Sequence, residues 1–381
     1  MKLLVCSHPC VTPVNQALFA AVERLTGWDL TLVVPAQWET EYGPRTADRW
    51  PAFRGDLVPI PVLGSGSVPL HVYWSTFTQL LRQRRPDAIY VHNEPYAAST
   101  AQLWLANRST LGVPLGFYSA QNIVKQYPPP FRWTEQAVYR SAQFAFPCAE
   151  SVLETLREKG YAGPATPLPL GIDPTLYAPA PDAAPLRANL AEGAEVLFGY
   201  VGRVTEEKGL PTLLDALARL PTDLNWRLVV VGTGDWDTAF DARAAALGLS
   251  NRVTRIGYVE HTEVPRYYSA FDLLVVPSET QPTWKEQFGR VLVESMACGT
   301  AVVGSSSGEI PNVLRRTGGG LVFPERDAGA LADTLATLGT APSRRAALAQ
   351  RGRQTVLNEF TNDALALRFA TTVERSVSHP A

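Results

Sequence analysis

Val196-Leu197-Phe198-Gly199-Tyr200-Val201-Gly202-Arg203-Val204-Thr205-Glu206-Glu207-Lys208-Gly209-Leu210 is the stretch whose reading decides the fold. The apolar run that ends at Val201 is short and is closed by Gly202, which predicts a buried strand. Residues from Leu210 to Leu220 carry helical spacing. A strand, a polar turn and a helix in this order make half of a βαβ unit. The same alternation continues outward. Strands are expected at Trp226–Val231, Arg252–Tyr258, Leu273–Pro277 and Ala301–Gly304, with helical runs between them. Toward the N-terminus the pattern has already occurred once, with strands at Lys2–Ser7, Trp28–Pro35, Ala88–His92, Leu115–Ala120, Phe144–Pro147 and Thr166–Gly171. A Pro-rich stretch (Pro174, Pro179, Pro181, Pro185) lies between the two series and reads as a linker. The expectation is an α/β chain of two Rossmann-like, doubly wound parallel-sheet domains, residues 1–175 and 176–359, facing each other across a cleft. A last helix, about 360–381, is expected to pack back on the first domain.

Bulk properties agree with a packed, two-domain chain. It has 381 residues, 46% hydrophobic and 18% charged, which excludes disorder. A formal net charge of −2 provides no global attraction to nucleic acid. Cys6, Cys10, Cys148 and Cys298 are scattered and lack paired metal-ligand spacing, so no metal site is expected. The N-terminal run Met1–Cys6 reads as a strand rather than a secretion signal, and no apolar stretch reaches the length of a membrane span. The expected location is cytoplasmic, with a peripheral contact at the inner face of a membrane left open. Between Ala36 and Gly55 a segment without periodicity carries Trp38, Tyr42, Trp50 and Phe53, and reads as functional or flexible.

The chemistry concentrates in Glu286-Gln287-Phe288-Gly289-Arg290-Val291-Leu292-Val293-Glu294-Ser295-Met296-Ala297-Cys298-Gly299. Glu286 falls in the loop before a helix and Glu294 inside it. The helix N-terminus between them offers unsatisfied backbone N–H groups and a partial positive charge, which suit a phosphate. Acceptors of sugar hydroxyls on both sides of a phosphate anchor fit a sugar nucleotide. After the strand ending at Val201, Gly202 permits a sharp turn. Arg203 and Lys208 supply a planar fork and a point charge suited to a diphosphate. The Gly232-Thr233-Gly234 turn and the run Ser305–Glu309 follow further strands, and their small residues allow either close packing or a ligand's approach.

Together these pieces resemble the family-4 retaining glycosyltransferases of the GT-B fold. The matching residues are Gly202-Arg203…Glu207-Lys208-Gly209, Val230-Val231-Gly232-x-Gly234, Glu286-x-Phe288-Gly289…Glu294-x-Met296-Ala297-x-Gly299 and Gly308-Glu309-Ile310-Pro311. The resemblance runs from about Thr166 to Val322 and more weakly through the first half. It implies that Arg203 and Lys208 hold a pyrophosphate beside Gly202, and that Glu286 and the backbone of Phe288 and Gly289 meet the transferred sugar. Glu294 would accept from the ribose. It also implies a nucleoside-diphosphate sugar as donor, no cofactor, and a saccharide or lipid-linked acceptor, in polysaccharide or glycolipid assembly. A sugar-nucleotide epimerase of the same architecture and a non-catalytic sugar-nucleotide-binding protein are the alternatives.

The first half departs from the family pattern. The segment after the first strand, Ser7–Asn15, has no glycine, and Asn15 reads as a helix cap. Where many relatives carry a histidine, Gln121 stands here, followed by Asn122. Gln can orient a hydroxyl but does not relay a proton. His92 and Glu94, after the strand Ala88–Val91, are the substitute candidates for acid–base work. Gln121, Asn122 and Lys125 are candidate acceptor or sugar contacts. The run Lys125–Trp133 is aromatic, basic and stiffened by prolines, which suits sugars or a membrane interface.

Overall fold

The computed structural model describes residues 1–40 and 43–378. The chain divides into two compact units, Met1–Gly171 with the segment from Asn362 onward, and Ile172–Thr361.

The first unit is built on six parallel strands in the order Phe144–Pro147, Leu115–Ser119, Ala88–His92, Lys2–Ser7, Asp29–Pro35, Asp56–Ile60. The central strands are buried along almost their whole length, as expected where helices cover both faces. The chain winds outward from Lys2–Ser7 in one direction and then returns to its other side through Ala88–His92. The strand order therefore reverses between these two neighbours, and Ser7 pairs in register with His92. Ligands of open parallel sheets bind at such a switch, beyond the carboxyl ends of the strands.

The second unit repeats the plan, with the order Val253–Gly257, Trp226–Val231, Val196–Val201, Leu273–Val276, Ala301–Ser305, Gly320–Phe323. Here the switch lies between Val196–Val201 and Leu273–Val276, which are paired. The loops leaving these two strands carry Gly202–Lys208 and Ser278–Glu286.

The final helix, Asn362–Ser378, belongs to the first unit. Its inner face (Leu365, Phe369, Val373) is fully buried. Phe369 stacks on Phe146 at 4.8 Å and meets Phe19 edge-on at 6.1 Å. Burying one such ring contributes about 2–3 kcal/mol. Arg24 pairs with Asp363 at the start of the helix.

Several local expectations are corrected. Thr166–Gly171 forms no strand: Ala165 makes a single bridge to Ala145, and only the N–H groups of Thr166 and Leu168 bond to the neighbouring strand. Asn15 does not cap the next helix, Ala17–Thr26, which starts after Gln16 without a side-chain cap. Its amide instead donates to the Pro9 carbonyl at 2.8 Å, inside a turn made of two 3-10 segments. The Pro-rich stretch is packed into the second unit, with Tyr177 1% exposed, and Pro185 sits in the first turn of the helix Ala183–Ala191. The aromatic segment after Ala36 contains a hairpin, Gln37–Thr40 with Gly43–Thr46. Trp38 and Phe53 are buried there, and Trp50 packs against the core. Tyr42 and the last three positions of the chain lie outside the described residues.

Candidate functional site

In the second unit, Glu286 is the centre of a compact polar cluster. Its Oε2 accepts from Lys208 Nζ at 2.8 Å and from Ser278 Oγ at 2.9 Å. Lys208 arrives from the 3-10 turn Glu206–Lys208. That turn ends at Gly209, whose φ of +70° suits glycine and where a Cβ would stand 1.9 Å from the Pro277 carbonyl oxygen. The close approach brings the loops after the two central strands together. The Lys208 ammonium also lies 4.6 Å from the centre of the Trp284 ring. Arg203 is more exposed, at 51%, with Glu207 3.7 Å away. The buried Tyr200 hydroxyl donates to the Arg203 carbonyl. Its ionisation is suppressed first by burial, then by the charges of Glu286 and Glu207.

The helix Arg290–Ala297 follows directly. Gly289 precedes it at φ +72° with no side-chain cap. Leu292 N bonds back to the Gly289 carbonyl at 2.8 Å, and the Arg290 and Val291 N–H groups ahead of it have no partner within the helix. Phe288 is buried and stacks at 6.1 Å on Phe360, which anchors the start of the helix. One turn inside, Glu294 is 5% exposed. Its Oε2 accepts from Tyr268 at 2.9 Å, and its Oε1 lies 2.8 Å from Arg290 Nε. Arg290 also reaches His261, and Tyr177 meets the same imidazole at 2.8 Å. Burial, and secondly the Arg290 cation, push the His261 pKa down, so the ring is neutral near pH 7.

The small-residue motifs divide into separate structural tasks. A Cβ on Gly232 would stand 2.0 Å from the Gly202 carbonyl oxygen, and one on Gly234 2.1 Å from that of Val204. These glycines let two backbones meet, which is the packing option left open by the sequence. Ser305 donates to the Ser278 carbonyl at 2.5 Å, and the Thr280 and Ser307 hydroxyls lie 3.0 Å apart. The serine run therefore holds the loop that presents Ser278 to Glu286. Gly308, at φ +53°, packs against the Glu286 carbonyl, which also accepts from Glu309 N at 3.1 Å.

In the first unit, His92 is the last residue of its strand. Its Nδ1 is 3.4 Å from Ser7 Oγ, and its ring packs against Tyr118 at 4.5 Å and Tyr90 at 5.7 Å. Burial pushes its pKa down to about 4, so it is neutral near pH 7. Glu94 is buried, and its carboxylate accepts from Ala120 N at 2.7 Å and Ser119 Oγ at 2.8 Å. Desolvation outweighs these bonds and raises its pKa to about 7. Gln121 follows at once; its amide donates to Tyr127 Oη at 3.3 Å, and its Oε1 accepts from Ile123 N at 3.1 Å. Asn122 is buried. Lys125 lies on the following loop and lines a cavity of about 300 Å³ with Tyr127, Arg132, Glu135 and Lys159. Trp133 is exposed.

The structure thus joins Lys208 to Glu286 within one cluster and Glu94 to the Ser119–Gln121 turn within another. Residues not singled out from the sequence stand beside the expected ones: Ser278 and Trp284 at the Lys208–Glu286 pair, and Tyr268, Arg290 and His261 around Glu294. Only Arg290 had a local signal, since a cation four residues before an acid on a helix faces it. His8 was also missed. It directly follows Ser7, packs against Trp38 at 4.9 Å and His71 at 5.3 Å, and burial lowers its pKa to about 3.

Comparison with known proteins agrees with these two units. Residues 185–355 match the family Glycosyl transferases group 1, and residues 11–171 match the Glycosyl transferase 4-like domain. The chain belongs to the group 1 glycosyltransferases and has the GT-B fold. A D-inositol 3-phosphate glycosyltransferase of Mycobacterium sp. (strain JLS) is 36% identical over 186 residues, 47% of this chain and 40% of that protein. The match thus spans less than half of that relative's length. A GDP-mannose-dependent alpha-(1-6)-phosphatidylinositol monomannoside mannosyltransferase of Mycobacterium tuberculosis is 30% identical over 53% of this chain and 54% of its own. Among solved structures, Anabaena Alr3699/HepE in complex with UDP superposes with a TM-score of 0.77 at 19% identity, covering 98% of this chain and 100% of that one. Among the described residues, no helix is long and apolar enough to cross a membrane.

Proposed function

We propose that this chain is a retaining glycosyltransferase that moves a sugar from a nucleoside-diphosphate sugar to a hydroxyl of a saccharide or lipid-linked acceptor, in cell-surface polysaccharide or glycolipid assembly. The observation that carries this reading is the Lys208–Glu286 pair next to the uncapped helix start at Gly289, with Glu294 one turn beyond. Relatives named for glycosyl transfer to inositol phosphate and phosphatidylinositol mannoside support the reaction class, and a fold neighbour solved with UDP-glucose is consistent with the donor class.

In this reading the bond between the sugar's anomeric carbon and the β-phosphate oxygen breaks, and its electron pair leaves with the nucleoside diphosphate. Lys208, Arg203 and the helix N–H groups stabilise that charge. One such preorganised donor contributes about 3–4 kcal/mol to the barrier. Glu286 holds hydroxyls of the transferred sugar, and Glu294 those of the ribose. The acceptor oxygen forms the new bond on the same face and loses its proton. Glu94, half-ionised near neutrality, and the neutral His92 are the groups proposed to take part in that proton's transfer, with Gln121, Asn122 and Lys125 orienting the acceptor. No metal or cofactor has a role. The protein would work in the cytoplasm, at the inner face of the membrane when its acceptor is a lipid.

Incubating the protein with UDP-, GDP- and ADP-sugars, with and without an acceptor mixture, tests this. Acceptor-stimulated release of nucleoside diphosphate is the expected outcome. A changed sugar still attached to its nucleotide would mean epimerisation, and binding without turnover would mean a sensor; either result overturns the proposal.

A further inference from the structure

We propose that Trp284 is a specificity residue of the donor site, a stacking platform for the sugar being transferred. The proposal rests on the donor-site reading above and adds a residue to it. Trp284 closes a tight turn in which Gln281 N donates to the Trp284 carbonyl at 2.7 Å and Trp284 N returns a bond to Gln281 at 3.3 Å. The turn is tied down from behind, because Arg326 donates to the Thr280 carbonyl at 2.5 Å and pairs with Glu279 at 3.3 Å. The indole is therefore held two residues before Glu286 on a braced support.

Its ring is half-buried and already engaged: the Lys208 ammonium lies 4.6 Å from its centre while donating to Glu286 at 2.8 Å. An ammonium over an indole is bound by the ring's negative face. When a diphosphate arrives, it competes for that ammonium with two negative charges close by. Lys208 then turns toward the phosphates, and the indole face and the Glu286 carboxylate are released together. A sugar ring has an apolar C–H face and a polar hydroxyl rim. The released pair offers one surface for each, an aromatic plane beneath the ring and a carboxylate at its edge. The cation–π contact thus keeps this platform covered until the phosphates draw Lys208 away.

The test compares a nucleotide with its sugar nucleotide. Titration calorimetry is run with UDP and UDP-glucose, GDP and GDP-mannose, and ADP and ADP-glucose, on the wild type, Trp284→Leu and Trp284→Phe. For whichever pair the wild type binds, Trp284→Leu should weaken the sugar nucleotide roughly five- to tenfold and leave the bare nucleotide within about twofold. Trp284→Phe, which keeps an aromatic face, should restore most of the difference. Equal weakening of both ligands would reduce Trp284 to a support for Lys208, and no change in either would remove it from the site; both results overturn the proposal while leaving the donor-site reading intact. A folded wild type that binds none of the six ligands overturns that reading, and the proposal with it.

Discussion

Lys208 and Glu286 are 78 positions apart in the chain and joined by a hydrogen bond of 2.8 Å. The pair lies where the loops of the two central strands of the second unit meet, and its side chains are 18% and 12% exposed. These opposite charges neutralise each other where little solvent reaches. A diphosphate must take Lys208 from Glu286, so the affinity of the site for donor is set against an existing bond.

That competition gives the first prediction. Lys208→Met and Glu286→Gln should each lower stability by roughly 1–3 kcal/mol, and the double variant should lose less than their sum. Urea unfolding of the four proteins measures the coupling, and strict additivity would show that the two side chains do not depend on each other. Turnover of the sugar nucleotide should fall on the order of a hundredfold or more in Lys208→Met.

Glu294 provides the second. Replacing it with Gln keeps the shape but removes the charge that Arg290 faces at 2.8 Å. Nucleotide affinity should drop by roughly ten- to a hundredfold, the cost of a hydrogen bond to a charged group. The preference of the wild type for ribonucleotides over their 2′- and 3′-deoxy analogues should shrink in the variant. An unchanged preference would take Glu294 away from the ribose.

A pH dependence follows from Glu94. Its folded pKa of about 7 lies above the ordinary carboxyl value of 4.5, so the folded protein binds this proton more tightly than the unfolded chain. The stabilisation is fully present below about pH 4.5 and is lost as pH rises through about 7. Relative to Glu94→Gln, the wild type should lose up to about 3 kcal/mol across that window. Chemical denaturation at pH 4.5, 6 and 8 reads the difference, and a constant gap between the two proteins would contradict the assignment.

Gly308→Ala is expected to damage the site without touching a proposed ligand contact. The new Cβ would stand 2.0 Å from the Glu286 carbonyl oxygen, at a φ of +53°. Strain of this kind costs on the order of 1–3 kcal/mol. The relief available is a shift of the Glu286 backbone, which carries the carboxylate that Lys208 meets. Lower thermal stability together with weaker sugar-nucleotide binding should result; a variant with normal binding would show that the contact does not position Glu286.

Much of the architecture was legible in the residues. Runs such as Val196–Val201 and Ala88–His92 are apolar on both faces because helices cover both sides of each sheet, and that pattern survives in a single sequence. The segment Thr166–Gly171 was misread because a bonded extended edge has the composition of a strand without a strand's full ladder. Asn15 was misread because its amide found the Pro9 carbonyl in place of the helix start, a choice made by the fold of the turn. The Gly232–Gly234 turn was ambiguous for a similar reason: only the approach of Gly202 and Val204 shows what its missing side chains make room for.

By itself the sequence determined the two α/β series and the placement of Glu286 in a loop with Glu294 on the helix behind it, because strand runs and helical spacing are local periodicities. Tertiary structure alone decided that Lys208 rests between Glu286 and Trp284, that Arg290 and Tyr268 hold Glu294, and that Glu94 is locked to Ser119 and Ala120. Most of those contacts join residues tens of positions apart. They depend on where two strands of a sheet release their loops, and no local spacing carries that information; even the Arg290–Glu294 pair, readable from its spacing, gains its burial only from the surrounding core.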